Sequence, residues 1–512
     1  MNRREVMDLI NEIEETFPVN TWIVDDIHVW PLIRIPLAMN LYREMNGKDI
    51  INNPLSFHNR IIKKINGIFI SLKALISDIE HNARYKRKVD VVILSNTICR
   101  TKLNDGWYDR ICDPFVEEIN KMEWSSQFYE ATQTYEYRLP RIFNSTLIQL
   151  KLDYINLKSK MNWFFSKSTS YQLDSWNDFY LFAKEKGINY DVPSFDELIQ
   201  RVFRIRRLSH FFEHFLKYNQ PKLAFVECYY GENGMALNLA CKRKGIPSVD
   251  IQHGVQGEFH VAYGRWCNIP DTGYELLPSH FWCWTPHEAD VINSWSENLE
   301  RQVHNALVGS NLWLNKWIRG DVSSLKFYDT KIRGLIESKK TAIMFTLQPG
   351  FDPELWFYEA VNSSPTEWKW FIRLHPGMIA DKERFQTIFK SQCPNANIEL
   401  DHATELPLLA WLRHIDIHVT QFSTCIIEAE TFGVPSIITH VNGMDMYADQ
   451  IQKGTACTAF TAIDLINRIN ILSNEKNGSK YPNDSKSKQN ILFKQIINEI
   501  LEERPGKNHQ FN

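Results

Sequence analysis

The chain has 512 residues, 44% of them hydrophobic and 23% charged, with 21 Gly and 21 Pro. That composition excludes a disordered, collagen-like or fibrous protein, and the length implies two large domains or three small ones. Lys plus Arg number 58 against 61 Asp plus Glu, a net charge of -3, so the global basic excess of a nucleic-acid binder is absent.

The first element predicted is an amphipathic helix carrying Val6, Ile10, Ile13 and Phe17. It is too interrupted for a secretory signal core, and no run reaches the ~18 apolar residues of a membrane span. Residues 58–88 interleave Ile61, Ile62, Ile65, Phe69, Leu72 and Ile76 with Arg60, Lys63, Lys64 and Lys73 and end on a basic run. Such a helix suits peripheral contact with an anionic membrane surface; a core-packing helix with a solvated basic face is the plain alternative. The expected location is cytoplasmic, at the inner face of the membrane if that contact exists. The nine cysteines lie 13 or more residues apart with no Cys-x-x-Cys, which reads as free thiols.

A βαβ syntax occurs twice. Residues 223–228 read as a buried strand, followed by a loop with Gly231 and Gly234, a helix over 235–244, the stop signals Gly245 and Pro247, and a strand at 248–252. Two hundred residues later, a strand at 415–420, the loop Gln421-Phe422-Ser423-Thr424, a helix over 425–432, Gly433 and Pro435, and a strand from 435 repeat the pattern. Further strands are expected at 89–94, 281–284, 341–347 and 370–374, with a closing helix at 491–501. The reading is α/β, with two domains of mostly parallel sheet. The expected boundaries are an N-terminal domain over 1–315, a second domain over 316–480, and a linker with closing helix over 481–512.

Open α/β sheets bind ligands beyond the carboxyl ends of their strands, which singles out three groups. Arg373-Leu374-His375-Pro376-Gly377 closes a strand and has the cationic groups to clasp a phosphate; a turn with an incidental His is the alternative. Ser423-Thr424 opens a helix, as an anion site or a plain N-cap, with Glu428 one turn inside. Gln252-His253-Gly254 sets His253 at a strand end, near Glu227 and Glu232, which are candidates for general base, base-orienter or nucleophile, or for structural roles.

The order Gln-His-Gly, Arg-x-His-Pro, then Ser-Thr-x-x-x-Glu-Ala with Gly-x-Pro, over about 222–460, resembles bacterial surface-polysaccharide glycosyltransferases of the GT-B class. Trp30-Pro31-Leu32-Ile33-Arg34 and Tyr108-Asp109-Arg110 are similar to such chains too. The His-Pro and Ser/Thr elements resemble those of CMP-sugar (sialic acid and Kdo) transferases. Teichoic-acid polyol-phosphate transferases are also similar, but this chain has Gln252 where they carry Trp. The resemblance implies two Rossmann-like domains facing each other across a cleft. It implies His375, Ser423 and Thr424 on the nucleotide phosphate, with Arg373 and Pro376 shaping that strand end, and Glu428 on the ribose side. The donor would be a nucleotide sugar, favouring a CMP-linked acidic sugar. The acceptor would be an oligosaccharide or lipid-linked glycan. A CDP-polyol phosphotransferase and an inactive nucleotide-binding scaffold remain the alternatives. No cofactor is expected. With neither Asp-x-Asp nor His-Glu-x-x-His in the sequence, no metal is expected either.

Overall fold

The computed structural model describes residues 2–44, 87–103, 105–132, 138–165, 171–188, 191–297, 303–336, 341–474 and 488–503. Most of the basic stretch 58–88 therefore lies outside the described residues. The chain divides into two compact units, one from residues 1–101, 105–312 and 487–512, the other from 102–104 and 313–486.

The first unit opens with α1 (Arg3–Thr16), started by a capping box in which Asn2 and Glu5 satisfy each other's backbone N–H. Its buried face carries Val6, Met7, Ile10 and Ile13. After α2 (Trp30–Glu44), seven parallel strands follow: β1 (Val91–Asn96), β2 (Ser126–Ala131), β3 (Thr146–Leu147), β4 (Leu223–Val226), β5 (Ser248–Ile251), β6 (His280–Cys283) and β7 (Asn305–Val308). They lie in the order β7-β6-β5-β4-β1-β2-β3. Among the connecting helices are α3 (Gln149–Phe165), α4 (Phe195–Asn219) and α5 (Glu232–Lys244).

Both faces of this sheet are buried, which explains its unbroken apolar strands. Val92, Leu94, Ala224 and Val226 face one core, with α1, α2, α4 and α5 over it. Val91, Ile93, Leu223 and Phe225 face the other. There the last helix, Lys488–Glu502, inserts Phe493, Ile496, Ile497 and Ile500, with the Phe493 ring tilted against that of Trp282, centroids 5.3 Å apart. The turn from β4 into α5 demands glycine: a Cβ on Gly234 would lie 2.2 Å from the Cys228 carbonyl oxygen.

The second unit has six parallel strands: β8 (Thr341–Thr346), β9 (Trp368–Arg373), β10 (Ile398–Glu399), β11 (Ile417–Thr420), β12 (Ser436–Ile438) and β13 (Ala456–Thr458), in the order β10-β9-β8-β11-β12-β13. Short α6 (Cys425–Thr431) follows β11. Counted from its own first strand, each sheet runs 3-2-1-4-5-6, the doubly wound order, and the first adds a seventh strand. The α/β reading with two parallel sheets is thus what the structure has. Two helices, Leu312–Arg319 and Leu325–Ile336, follow the first unit's last strand.

A buried ion pair joins α1 to α2. Arg34 Nε donates to Glu14 Oε1 at 2.6 Å, both side chains having no exposure. The indole of Trp30 donates to the same oxygen at 2.7 Å. Arg34 also reaches the carbonyls of Val261, Gly264 and Arg265 and stacks 3.9 Å from the Trp266 ring. The Trp-Pro-Leu-Ile-Arg segment is therefore an anchor in the core. Arg34→Ala should leave Glu14 charged and unpaired and lower unfolding stability by about 3–5 kcal/mol. Urea denaturation checks this, and an unchanged midpoint would refute the anchoring role.

Candidate functional site

In the first unit the strand order reverses between β1 and β4, the position beyond whose carboxyl ends doubly wound sheets take ligands. Glu227 follows β4, and its Oε1 accepts from the Cys99 thiol at 3.0 Å, linking the two sides of the reversal. Burial pushes the Glu227 carboxyl up to about 7; Asp109 adds to the rise, while the Cys99 hydrogen bond and the Arg110 charge oppose it. A carboxyl so placed exchanges a proton near neutral pH.

His253 follows β5. Its Nδ1 lies 3.4 Å from the Ile251 carbonyl oxygen and its Nε2 3.1 Å from the Tyr230 hydroxyl. A carbonyl only accepts, so Nδ1 carries the hydrogen and Nε2 accepts from Tyr230. Burial, with a contribution from Arg110, pulls the imidazole down to about 4, which leaves it neutral at pH 7. Tyr230 lies between His253 and His260, with ring centroids 5.8 and 5.6 Å away. Burial drops His260 to about 3. Asp250, fully buried within β5, accepts from the Tyr229 N–H at 3.0 Å and the Tyr263 hydroxyl at 2.9 Å, which fixes the loops carrying Tyr230 and His260.

Glu232 is placed differently. At the start of α5 it pairs with Arg201 at 3.2 Å and with Arg204 Nε at 2.6 Å, both on α4. Its carboxylate serves as an inter-helix clamp. Glu227 and His253, by contrast, share the Arg110 field and the Tyr230 environment. Gln252 braces the loop, donating to the Gly254 carbonyl at 2.9 Å and accepting from Trp284 N–H.

In the second unit the order reverses between β8 and β11. Arg373, ending β9, spends Nη1 on the carbonyls of Ala403 and Leu406, both at 2.6 Å, so this nitrogen braces the loop. His375 Nδ1 accepts from Gly377 N–H at 3.1 Å as the cap of the turn Pro376–Asp381, which assigns the ring hydrogen of the neutral form to Nε2. Beyond β11, Ser423 Oγ accepts from Cys425 N–H at 3.3 Å. Ser423 thus fills the capping role, whereas Thr424 makes no side-chain cap. Glu428 lies half-buried in the first turn of α6.

Other polar groups cluster at this edge. Gln421 Nε2 reaches the Asp352 carbonyl at 3.4 Å across the reversal, and the Phe351 and Phe422 rings meet edge to face at 4.5 Å. Gln421 Oε1 is buried and has no partner among the described residues. Buried polar atoms are nearly always paired, so an unpartnered acceptor at the reversal makes Gln421 a candidate ligand contact. Deeper in the sheet, Thr346, His418 and Ser436 form a row, with His418 Nε2 2.9 Å from the Thr346 hydroxyl and Nδ1 3.0 Å from that of Ser436. Burial drops His418 to about 3.

Sequence reasoning missed Tyr230, His260, Cys99 and Gln421. A polar or aromatic residue one to four positions past each strand end was the signal that could have found Tyr230 and Gln421. Among the described residues, no cluster of three or more His, Cys, Asp or Glu is arranged to hold a metal ion, and no helix is long and apolar enough to cross a membrane.

No family model matches the sequence, and no curated protein does. Solved structures with a similar chain path exist. UDP-GlcNAc 2-epimerase from Methanocaldococcus jannaschii, in complex with UDP-GlcNAc and UDP, is 14% identical over 79% of this chain and 99% of its own, with a TM-score of 0.45. UDP-GlcNAc 2-epimerase from Neisseria meningitidis, bound to UDP-GlcNAc, is 13% identical over 80% of this chain and 99% of its own, with a TM-score of 0.47. The glycotransferase of kitacinnamycin is 12% identical over 81% and 96%, with a TM-score of 0.41. At such identities and scores the likenesses carry no activity across to this chain.

The raised Glu227 carboxyl has a consequence for stability. Its ordinary value is 4.5 and its folded value about 7, so the folded chain takes up a proton between these limits. Stability conferred at low pH is then lost as pH rises through that window, by roughly 3 kcal/mol. Glu227→Gln, which stays neutral, should raise the melting temperature over wild type at pH 8 and leave it nearly unchanged at pH 4. Equal shifts at both pH values would refute the raised proton affinity.

Proposed function

We propose that this chain is a GT-B-type, nucleotide-sugar-dependent glycosyltransferase that extends a bacterial surface glycan. The CMP-linked acidic sugars favoured by the sequence resemblance are its first candidate donors. The observation that carries this reading is the unpaired, buried Gln421 Oε1 at the second sheet's reversal, beside Ser423 and Thr424. The reversal is where doubly wound sheets in general take their ligands, which supports the reading. The nearby hydroxyls and the Nε2 hydrogen of His375 suit a phosphate. The first unit supplies proton chemistry at its own reversal.

In the proposed reaction the acceptor hydroxyl oxygen forms a bond to the anomeric carbon of the donor. The bond from that carbon to the phosphate oxygen breaks, and the nucleotide leaves with the electron pair. The acceptor proton passes to a base. Glu227 suits this role better than His253, because a base acts best with a proton affinity near the working pH and His253 is held near 4. His253 and Tyr230 then orient the acceptor, and Glu232 remains with its arginines.

Incubating the full chain with a panel of nucleotide-linked substrates, without acceptor, tests the reading through slow donor hydrolysis. Release of free sugar supports it. Release of a polyol phosphate would replace it with the phosphotransferase reading, and release of nothing from any donor would point to a scaffold. With an active donor in hand, Glu227→Gln should cut turnover by ~100- to 10,000-fold while nucleotide affinity stays within about twofold. His375→Ala and Thr424→Ala should instead weaken nucleotide binding roughly ten- to hundred-fold by calorimetry. Wild-type affinity in both folded variants would remove the phosphate assignment.

A further inference from the structure

A groove in the first unit is lined by residues of two helices. Between α3 and α4 runs a groove of about 790 Å³, lined by Leu150, Tyr154, Ile155, Phe203 and Phe211 along its floor. Its remaining lining is cationic: Lys151, Arg206, Arg207 and His210, with no carboxylate among the lining residues. That size falls within the range of small-molecule sites.

The apolar strip continues past the groove. Leu150, Tyr154 and Leu157 recur at helical spacing along α3, and Tyr154 and Leu157 are 64% and 59% exposed. Exposed aromatic and aliphatic side chains in a row are unusual on a surface that meets only water. The charges are unevenly satisfied. Arg206 pairs with Asp25 at 2.9 Å and His210 approaches Glu213 at 3.5 Å. Lys151 rests over the Phe215 ring at 5.7 Å. Arg207 has no ion pair among the described residues, so the rim keeps a net positive charge.

We propose that this groove takes a phosphate-bearing membrane lipid, its apolar chain along the α3 strip and its phosphate among Arg207, Arg206 and Lys151. Charge complementarity selects that occupant. A planar guanidinium matches a phosphate, and an apolar floor behind it rewards a chain that a free phosphate lacks. The stretch 58–88 of this chain carries the same positive sign as the rim and is disfavoured as a cover. The inference does not rest on the transferase reading.

The test is co-sedimentation of the full chain with phosphatidylcholine vesicles and with mixed phosphatidylcholine–phosphatidylglycerol vesicles. Binding to the anionic vesicles alone, falling as salt rises, is expected. Arg207→Glu should weaken it about thirtyfold, since two units of charge are reversed at ~1 kcal/mol each. Tyr154→Ser, at an exposed position that leaves folding intact, should weaken it several-fold. Glycerol phosphate should compete poorly. Equal binding to both vesicle types overturns the proposal, as does no binding at all. Full competition by glycerol phosphate with no effect of Tyr154→Ser would make this a phosphate site and overturn the lipid assignment. Groove variants that bind like wild type, with loss only on Lys63, Lys64 and Lys73→Glu, would move docking to the 58–88 stretch. A dimer in sedimentation velocity that Arg207→Glu disperses would make the groove a self-association surface and overturn it equally.

Discussion

The Arg34–Glu14 pair holds the first unit's site in shape. A guanidinium and a carboxylate with no exposure are stable only when their remaining donors and acceptors are satisfied, and here the satisfying groups are the backbone carbonyls of Val261, Gly264 and Arg265, the Cys267 N–H and the Trp30 indole. That requirement binds the segment after the Gln-His-Gly loop to the N-terminal helices. The Tyr229 hydroxyl donates to the Ala262 carbonyl in the same segment, and Tyr263 donates to Asp250 in the sheet. Tyr230 and His260 are thus carried on backbone that is pinned from both sides. Helices far from the strand ends in sequence decide how the strand-end loops sit.

Electrostatics then separates three acidic or basic groups that look alike in sequence. Glu232 is held by two guanidiniums, those of Arg201 and Arg204, and is committed to them. Glu227 has only a thiol and the more distant Arg110 to offset its burial, so its proton affinity rises into the neutral range. His253 is also desolvated, but for a base this favours the neutral form, and its Nε2 is engaged by Tyr230. The same burial therefore raises one group toward neutrality and pushes the other away from it. Proton affinity near the working pH suits acid–base work, and of these two desolvated groups Glu227 is the one that has it.

The second unit reaches polarity at its edge by other means. Its site groups are hydroxyls, amides and an imidazole whose hydrogen is set by a backbone cap, with Arg373 Nη1 given over to loop carbonyls. A phosphate held there would meet directed hydrogen bonds more than a concentrated charge. The edge-to-face pair Phe351 and Phe422 supplies an apolar wall beside them.

By itself the sequence determined the α/β class, the two parallel-sheet units and most of the strands, because buried parallel strands are short apolar runs and the helix of each repeated unit ends on glycine and proline. The repeated syntax at 223–252 and 415–439 was legible for that reason, as was the placement of His253, His375 and Ser423 just past strand ends; Glu227, read as the end of its strand, lies one residue beyond it. Two-residue β3 and β10 were not, since so short a strand has no periodic signal, and neither were β2, whose Ser126, Gln127 and Glu130 break its apolar run, β7, or the long helix α4. The return of the last helix onto the first sheet was equally hidden, because its partners Trp282 and Phe115 lie hundreds of residues upstream. Tertiary structure alone decided which of Glu227, Glu232 and His253 is clamped, which is neutral and which titrates near pH 7. Those outcomes depend on neighbours such as Cys99, Arg110, Arg204 and Tyr230, brought together by strand order, and a charge's environment is a property of distance in space that spacing along the chain does not encode.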